Sequence, residues 1–456
     1  MNKLNKITAA LLLTAVLAGC VNIDDSFNAS QKNFAQYIAE TSQFNVNEEW
    51  WKLYNDPQLN QLIDLALKNN LDLAKSAVAV NVALYKANLL GADLVPTFGG
   101  KTDSTAVKDI INGGNSVISH TGQIGISYTL DLWRKLADSA TAAEWEHKAT
   151  VEDLAKARLA LINSVINAYY SLAYLTDAVK ATEESIQYYK RINTVVQNKQ
   201  RFGVIDGLSS AQATQAVLTA RNTLLELQAQ QKTVQQTLHN LLNLKPNEPL
   251  NLQLPNLLNV KLPGVNLNVP VSVIANRPDV RAAQNRLQSA FKDTKAMQKS
   301  WFPTISLAGT IQVQGNKVSN ATETQAAVGA LGITLPFLSW QTVKWNVKIS
   351  EAAYESSRLS FEQSITTALN EVDALYFAYQ QSQKSYGNLL DKYNYDKKIS
   401  QYYRDRYNAG VSELKDWLTA ANTEKASQIA ILSQKYNLIK NETAVYQAMA
   451  GYYTKK

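Results

Sequence analysis

The chain has 456 residues, with 45 Lys or Arg against 38 Asp or Glu; the formal net charge of +7 is spread without a basic run of five or six, which argues against a nucleic-acid partner. A single Cys excludes an intrachain disulfide scaffold or a cysteine-rich metal site, and three scattered His (His120, His147, His239) form no metal-ligand spacing. Ten Pro and 18 Gly are few enough for long helices to dominate.

Residues 1–20 read MNKLNKITAALLLTAVLAGC. Lys3 and Lys6 make a positive n-region, and residues 7–18 form an apolar stretch too short to span a membrane as a helix. Leu17-Ala18-Gly19-Cys20 resembles the lipobox of bacterial lipoproteins. The resemblance implies that 1–19 is a signal peptide and that Cys20 receives a diacylglycerol on sulfur and an acyl chain on its new amine. Each buried methylene then adds roughly 0.8 kcal/mol of anchoring. Val21 stands where an inner-membrane-retention Asp would, which implies the outer membrane of a Gram-negative cell. A plain secretory signal with an incidental Cys is the alternative.

After a lipidated segment (20–55), a helix is expected over about 56–90. Pro96 stops it and opens a pair of strands within about 96–132, beginning with TFGGKTDST. In 120–130 the period is two: Gly122, Ile124, Ile126, Tyr128 and Leu130 share one face, and Thr121, Gln123, Gly125, Ser127 and Thr129 the other. Helices follow over about 133–199 and 208–244, joined at Gly203-Val204. The heptad steps Leu161, Val165, Ala168, Leu172, Leu175, Val179, and again from Val217 through Leu241, predict coiled-coil pairing. Roughly 65 residues of helix extend about 100 Å, too long for a globular core. No apolar run of 18 residues follows the signal.

Five of the ten prolines fall in 246–270, which reads as an extended linker along the outside of the helices. The order then repeats: a helix (about 271–300), strands within about 303–338, and helices over about 340–408 and 412–451 about a turn at Gly410-Val411. Asp72 and Asp279, Pro96 and Pro303, Asn163 and Asn370, Tyr169 and Tyr376, and Gly203 and Gly410 are each 207 positions apart, so 56–245 and 271–456 form a duplication. In the later strands Ile305, Leu307, Gly309, Ile311 and Val313 share a face, as do Leu331, Ile333, Leu335 and Phe337.

Alternation alone fits a lipid-facing barrel wall and a half-buried soluble sheet equally. Trp133, Trp301-Phe302 and Trp340 fall at one end of the strands, and such an aromatic level suits a membrane–water interface. Four strands cannot close a barrel, and open edges in lipid leave backbone groups unpaired, so the barrel must be shared between subunits.

The segments WWKLYNDPQLNQLIDLALKNNLDL (50–73), SYTLDLW (127–133), RPDVRAAQNRL (277–287), FPTISLAG (302–309) and YNAGVSELKDWL (407–418) resemble the TolC-like outer-membrane efflux channels, most closely their lipoprotein (NodT-type) branch. The resemblance covers nearly the whole mature chain. It departs at Ser339-Trp340-Gln341, where Gly-Gly-Arg is usual, and at Leu414-Lys415-Asp416-Trp417-Leu418, where Leu-Asp-Val-Leu is usual. It implies a mostly α fold with a transmembrane β portion: a homotrimer with a 12-stranded outer-membrane β-barrel and a long periplasmic α-helical tunnel. It also implies the passive exit duct of a tripartite pump, joined to a periplasmic adaptor protein and an RND-type inner-membrane transporter and set in outer-membrane lipid.

No phosphate loop, Gly-x-Ser-x-Gly or His/Cys cluster suggests an enzyme, and Glu183-Glu184 reads as a solvated helix face. No catalytic residue, metal or cofactor beyond the lipid on Cys20 is expected. Met297, Met449 and an acylated Cys20 are too few soft ligands for copper or silver coordination within the duct. A lipid-anchored periplasmic coiled-coil spacer or adhesin is the alternative from another class. For the gate, Glu413 and Asp416 share one helix face just past the Gly410-Val411 turn, where the helix dipole favours carboxylates. Helix capping alone would also account for Glu413. By resemblance Asp416 matches an Asp that lines the closed constriction, and Tyr407 and Ser209 match positions that hold the tips shut.

Overall fold

The computed structural model describes residues 23–108, 110–111, 116–266, 268–318 and 324–456. Cys20, Val21 and the signal segment lie outside the described residues. The chain divides into two compact units. The first comprises Met1–Gln36, Val78–Asp153 and Asp279–Ser364, and the second Tyr37–Ala77, Leu154–Pro278 and Ile365–Lys456.

In chain order the helices are α1 (Ile23–Thr41), α2 (Pro57–Asn69), α3 (Leu71–Ala92), α4 (Lys135–Arg201), α5 (Gly207–Leu241), α6 (Pro278–Gln298), α7 (Trp340–Asn408) and α8 (Leu414–Ala448). The strands are β1 (Phe44–Asn47), β2 (Thr97–Val107), β3 (Val117–Leu130), β4 (Thr304–Gly315), β5 (Thr324–Thr334) and β6 (Tyr452–Lys455).

Several bounds differ from the sequence expectation. The helix expected over 56–90 breaks at Asn70, whose extended backbone ends α2 while its side-chain oxygen accepts from the Asp72 and Leu73 N–H groups and caps α3. The helix expected from 271 is a 3₁₀ turn (Val271–Asn276) until Pro278 opens α6. The last strand stops at Thr334, because Pro336 starts a 3₁₀ turn that takes Phe337 out of the sheet, with Leu335 as its cap. Segment 20–55, expected only as a lipidated lead, carries α1 and β1.

The duplication is legible in the backbone. Asn70 (φ −67, ψ 122) and Arg277 (φ −67, ψ 128) break the chain alike. Gly203 and Gly410 turn with φ of 71 and 75, and Asn243 and Ala450 with φ of 54 and 56. Each pair is 207 apart, and so are the hydrogen bonds Val204 N to Lys199 O and Val411 N to Arg406 O.

The first unit holds an antiparallel sheet in the order β2-β3-β4-β5. α1 docks within this unit through stacked Phe27 and Phe291 (4.1 Å), Phe34 edge-on to Phe361 (5.3 Å), Ser26 against the Tyr354 hydroxyl (2.7 Å) and a Lys295–Asp24 ion pair (2.6 Å). Asp131 accepts from the Leu136 and Ala137 N–H groups, capping the start of α4.

In the second unit, Trp50, Trp51, Tyr54, Leu59, Leu62 and Ile63 pack against Leu161, Val165, Ile166, Tyr169 and Tyr170 of α4 and Ile439 and Tyr446 of α8. The Pro-rich linker lies on this core through Leu250, Leu252, Leu254, Leu257 and Leu262. It is pinned where Asp177 accepts from the Leu257 N–H (2.8 Å). Fully buried Glu442 accepts from the Gly264 N–H (2.7 Å) and the Tyr54 hydroxyl (2.6 Å). Arg277 of the RPDVR segment donates to Ala448 O at the end of α8 (2.9 Å) and pairs with Glu371 (2.7 Å). β1 and β6 close the unit as a two-stranded ribbon, Phe44 opposite Lys455.

Candidate channel site

The sheet sorts its side chains as the period of two requires. Thr121, Gln123, Gly125, Ser127 and Thr129 of β3 stand opposite Gln314, Gln312, Thr310, Ala308 and Ser306 of β4. On the other face Gly122, Ile124, Ile126, Tyr128 and Leu130 oppose Val313, Ile311, Gly309, Leu307 and Ile305. β2 extends the polar face with Thr97, Gly99, Lys101 and Asp103, and the apolar face with Phe98. β5 adds Leu331 and Ile333 to the apolar face. Phe98 is 82% exposed, Ile124 63% and Leu331 64%, an apolar surface too broad for a chain that meets only water.

The aromatics gather at one end of the sheet. Trp133 stacks on Phe302 (4.8 Å) and donates its indole N–H to Pro303 O (2.9 Å). Trp301 and Trp340 flank the same strand ends and are exposed. Among the described residues no helix is long and apolar enough to cross a membrane, and no group of three or more His, Cys, Asp or Glu could hold a metal ion.

The second candidate region is where the two helix hairpins turn, inside the second unit. Gly203 and Gly410 supply the left-handed residue that ends α4 and α7, and exposed Val204 and Val411 follow. Behind the turns Ile186, Tyr189, Ile192 and Val196 of α4, Ala213 and Val217 of α5 and Leu414, Trp417 and Leu418 of α8 form a buried cluster with Tyr407. Tyr407 lies against Trp417 (centroids 5.3 Å apart), and its hydroxyl accepts from Lys199 (3.3 Å), whose ammonium also sits 4.3 Å above the Tyr407 ring. Trp417 donates its indole N–H to the Tyr188 hydroxyl (2.9 Å), and burial raises the pKa of that phenol.

Glu413 sits at the N-cap of α8 without a side-chain capping bond, and Asp416 follows in the first turn. Both are exposed and line a groove of about 610 Å³ with Tyr402, Tyr403, Arg406, Val411 and Ser412. Arg406 donates to the Tyr402 hydroxyl (3.2 Å) and to Val411 O (3.1 Å), so the groove holds one guanidinium and two carboxylates. Ser209 is at the start of α5, where its N–H donates to the capping Asp206 (3.2 Å). The structure thus brings Glu413 and Asp416 to one groove, sets Tyr407 in the cluster behind it and leaves Ser209 at the other hairpin's cap. Sequence reasoning missed Lys199, Tyr188, Arg406 and Trp417. The aromatic pair Tyr407 and Trp417 flanking the Gly-Val turn was the available signal.

The outer membrane efflux protein family matches residues 62–244 and 269–451, two stretches whose starts and ends are each 207 apart. The chain is 58% identical over 456 residues to "Toxin and drug export protein A" of Aggregatibacter actinomycetemcomitans, covering 100% of both chains. It is 26% identical over 419 residues to the toluene efflux pump outer membrane protein TtgF of Pseudomonas putida, covering 88% of this chain and 85% of that one. The solved Campylobacter jejuni CmeC outer membrane channel superposes with a TM-score of 0.80 at 21% identity, covering 90% of this chain and 89% of that one. The chain belongs to the outer membrane efflux protein family, and its function is that of an outer-membrane efflux channel.

Proposed function

We propose that the chain is the exit duct of a tripartite efflux pump, a homotrimer that conducts drugs or other small molecules passively from an inner-membrane transporter of the RND type and a periplasmic adaptor. What carries this is the sheet. Its two faces differ in polarity, and β2 and β5 each have one described strand partner. Three copies joined edge to edge would make a 12-stranded barrel, lipid outside and water within, and would satisfy both edges. The hairpin turns would then meet as a threefold ring, with Glu413 and Asp416 as gate carboxylates, Tyr407 behind them and Ser209 at the cap of the other hairpin. The duct performs no reaction and needs no cofactor; energy enters at the transporter. The relative named for toxin and drug export supports drugs or toxins as cargo.

Cys20 is proposed as the lipid anchor of a NodT-type chain, on the strength of LAGC at 17–20. Radioactive palmitate should label the chain and not Cys20→Ser; label on the variant would remove the anchor.

The deciding experiment is the mass of detergent-extracted protein by light scattering together with conductance in planar bilayers. Three protomers and a conducting pore are expected. A folded monomer without conductance would favour a lipid-anchored coiled-coil spacer or adhesin.

A further inference from the structure

Strands β2 to β5 contain one Lys and one Asp, and the two lie on the same strand and the same face. Lys101 Nζ is 2.8 Å from Asp103 Oδ2, with side chains 65% and 50% exposed. Lys101 stands opposite Gln123 and Asp103 opposite Thr121, so the pair belongs to the polar face. The rest of that face is neutral: Ser, Thr, Gly and Gln on β3, then Ser306, Ala308, Thr310, Gln312 and Gln314 on β4, and Ala326, Val328 and Ala330 on β5. The one His of these four strands, His120, lies on the opposite face beside Ser104. Lys101 is four residues past Thr97, about 13 Å along the strand from the aromatic end.

An exposed pair of this kind adds little to stability. Its electrostatic consequence is larger, because a narrow aqueous passage with low-dielectric walls focuses whatever charge it contains. We propose that the Lys101–Asp103 pair is the charge balance of the barrel lumen. Closed on itself, it leaves the exit open to amphiphilic cargo of either sign, and loss of either member would give the strand portion of the lumen wall a charge preference. This rests on the shared-barrel reading, in which the polar face lines the lumen and symmetry repeats the pair three times at one level.

The local potential can be read by thiol chemistry, independently of any gate. Gln123→Cys places a thiol opposite Lys101, and Ile124→Cys places one on the apolar face. The full-length protein in proteoliposomes is treated with cationic trimethylammonioethyl methanethiosulfonate and anionic sulfonatoethyl methanethiosulfonate. The parent chain measures any reaction at Cys20. Taking the ratio of the two rates cancels changes in thiol reactivity. With the pair intact, the ratio for the Gln123→Cys protein should match that of a small thiol in solution. Asp103→Asn, added to Gln123→Cys, should favour the anionic reagent by about fivefold, and Lys101→Gln the cationic one by about as much, both shrinking in concentrated salt. A ratio unmoved by either substitution, with the thiol of Gln123→Cys reactive and that of Ile124→Cys protected, would overturn the charge balance while leaving the barrel standing. Equal reactivity of the Gln123→Cys and Ile124→Cys proteins would overturn the barrel reading and the charge balance with it.

Discussion

The two helix hairpins share a backbone and differ in what they bury. α4 and α5 turn at Gly203, and α7 and α8 at Gly410, with φ within a few degrees. The first hairpin buries Ser185, Tyr189 and Ala220 where the second has Lys392, Asp396 and Ser427. Asp396 is buried, accepts from Lys392 (2.5 Å) and from Ser427, and Lys392 also donates to Ser427 (2.8 Å). Further along, Gln228 and Gln235 of the first hairpin correspond to Lys435 and Glu442 of the second, both buried. Among the described residues the first hairpin buries no charge between 154 and 241, while the second buries Asp396, Lys435 and Glu442. At the turns, Asp206 caps α5 through its side chain, whereas Glu413 at the matching position does not cap α8. Duplication thus conserved main-chain geometry and left side-chain chemistry to diverge. One hairpin is closed by apolar contact, which ignores pH and salt; the other is closed partly by charge, which responds to both.

Tyr189→Ala should break the apolar hairpin most severely, costing about 4 kcal/mol by removal of a buried ring, as read by thermal unfolding followed by circular dichroism. A loss as small as that of a surface substitution would put the first hairpin's stability elsewhere. Glu442→Ala should cost about 3 kcal/mol, because the Tyr54 hydroxyl and the Gly264 N–H lose their buried acceptor. Gln235→Ala, its counterpart, should stay within about 0.5 kcal/mol.

The pH dependence sharpens the same contrast. Burial pushes the Glu442 carboxyl above its ordinary 4.5, against the hydrogen bonds from Tyr54 and Gly264. Between 4.5 and that raised value the folded chain therefore holds a proton that the unfolded chain has lost. This group's stabilising contribution is complete below 4.5 and declines as pH rises through the raised folded value. Glu442→Gln should flatten the melting temperature above pH 4.5, while Gln235 variants leave its slope unchanged.

Asp396→Asn should cost about 1 kcal/mol and remove part of the salt dependence of the second hairpin, measured by proteolysis near the Gly410 turn in low and high salt. The smallest effect is on conduction. Asp416 and Ser209 occupy matching positions of the two hairpins, and of these two Asp416 brings charge to the tip groove, beside Glu413 and Arg406. Asp416→Ala should lower cation preference and divalent block in single-channel recordings, and Ser209→Ala should leave both unchanged. Equal reversal potentials for wild type and Asp416→Ala would take Asp416 out of the pore.

The sequence by itself determined what is periodic or local. Alternation over 120–130 and 304–313 named the two faces of the sheet, heptads named the paired helices, and the constant spacing of 207 named the duplication and both Gly-Val turns. A period survives in the sequence because every residue of an element meets the same kind of neighbour at the same interval. Asn70 and Pro278 carried local signals, a capping side chain and a helix-opening ring, that mark the helix breaks the tertiary structure contains. Only the tertiary structure decided the pairings between distant segments. β1 and β6 are four residues each and lie about 400 positions apart, too short for a period of their own. Glu442 joins Tyr54 and Gly264, and Lys199 meets Tyr407, because the fold brings them together. Nothing local distinguishes such a carboxylate or lysine from one on a solvated face: its partner, its burial and its proton affinity come from packing.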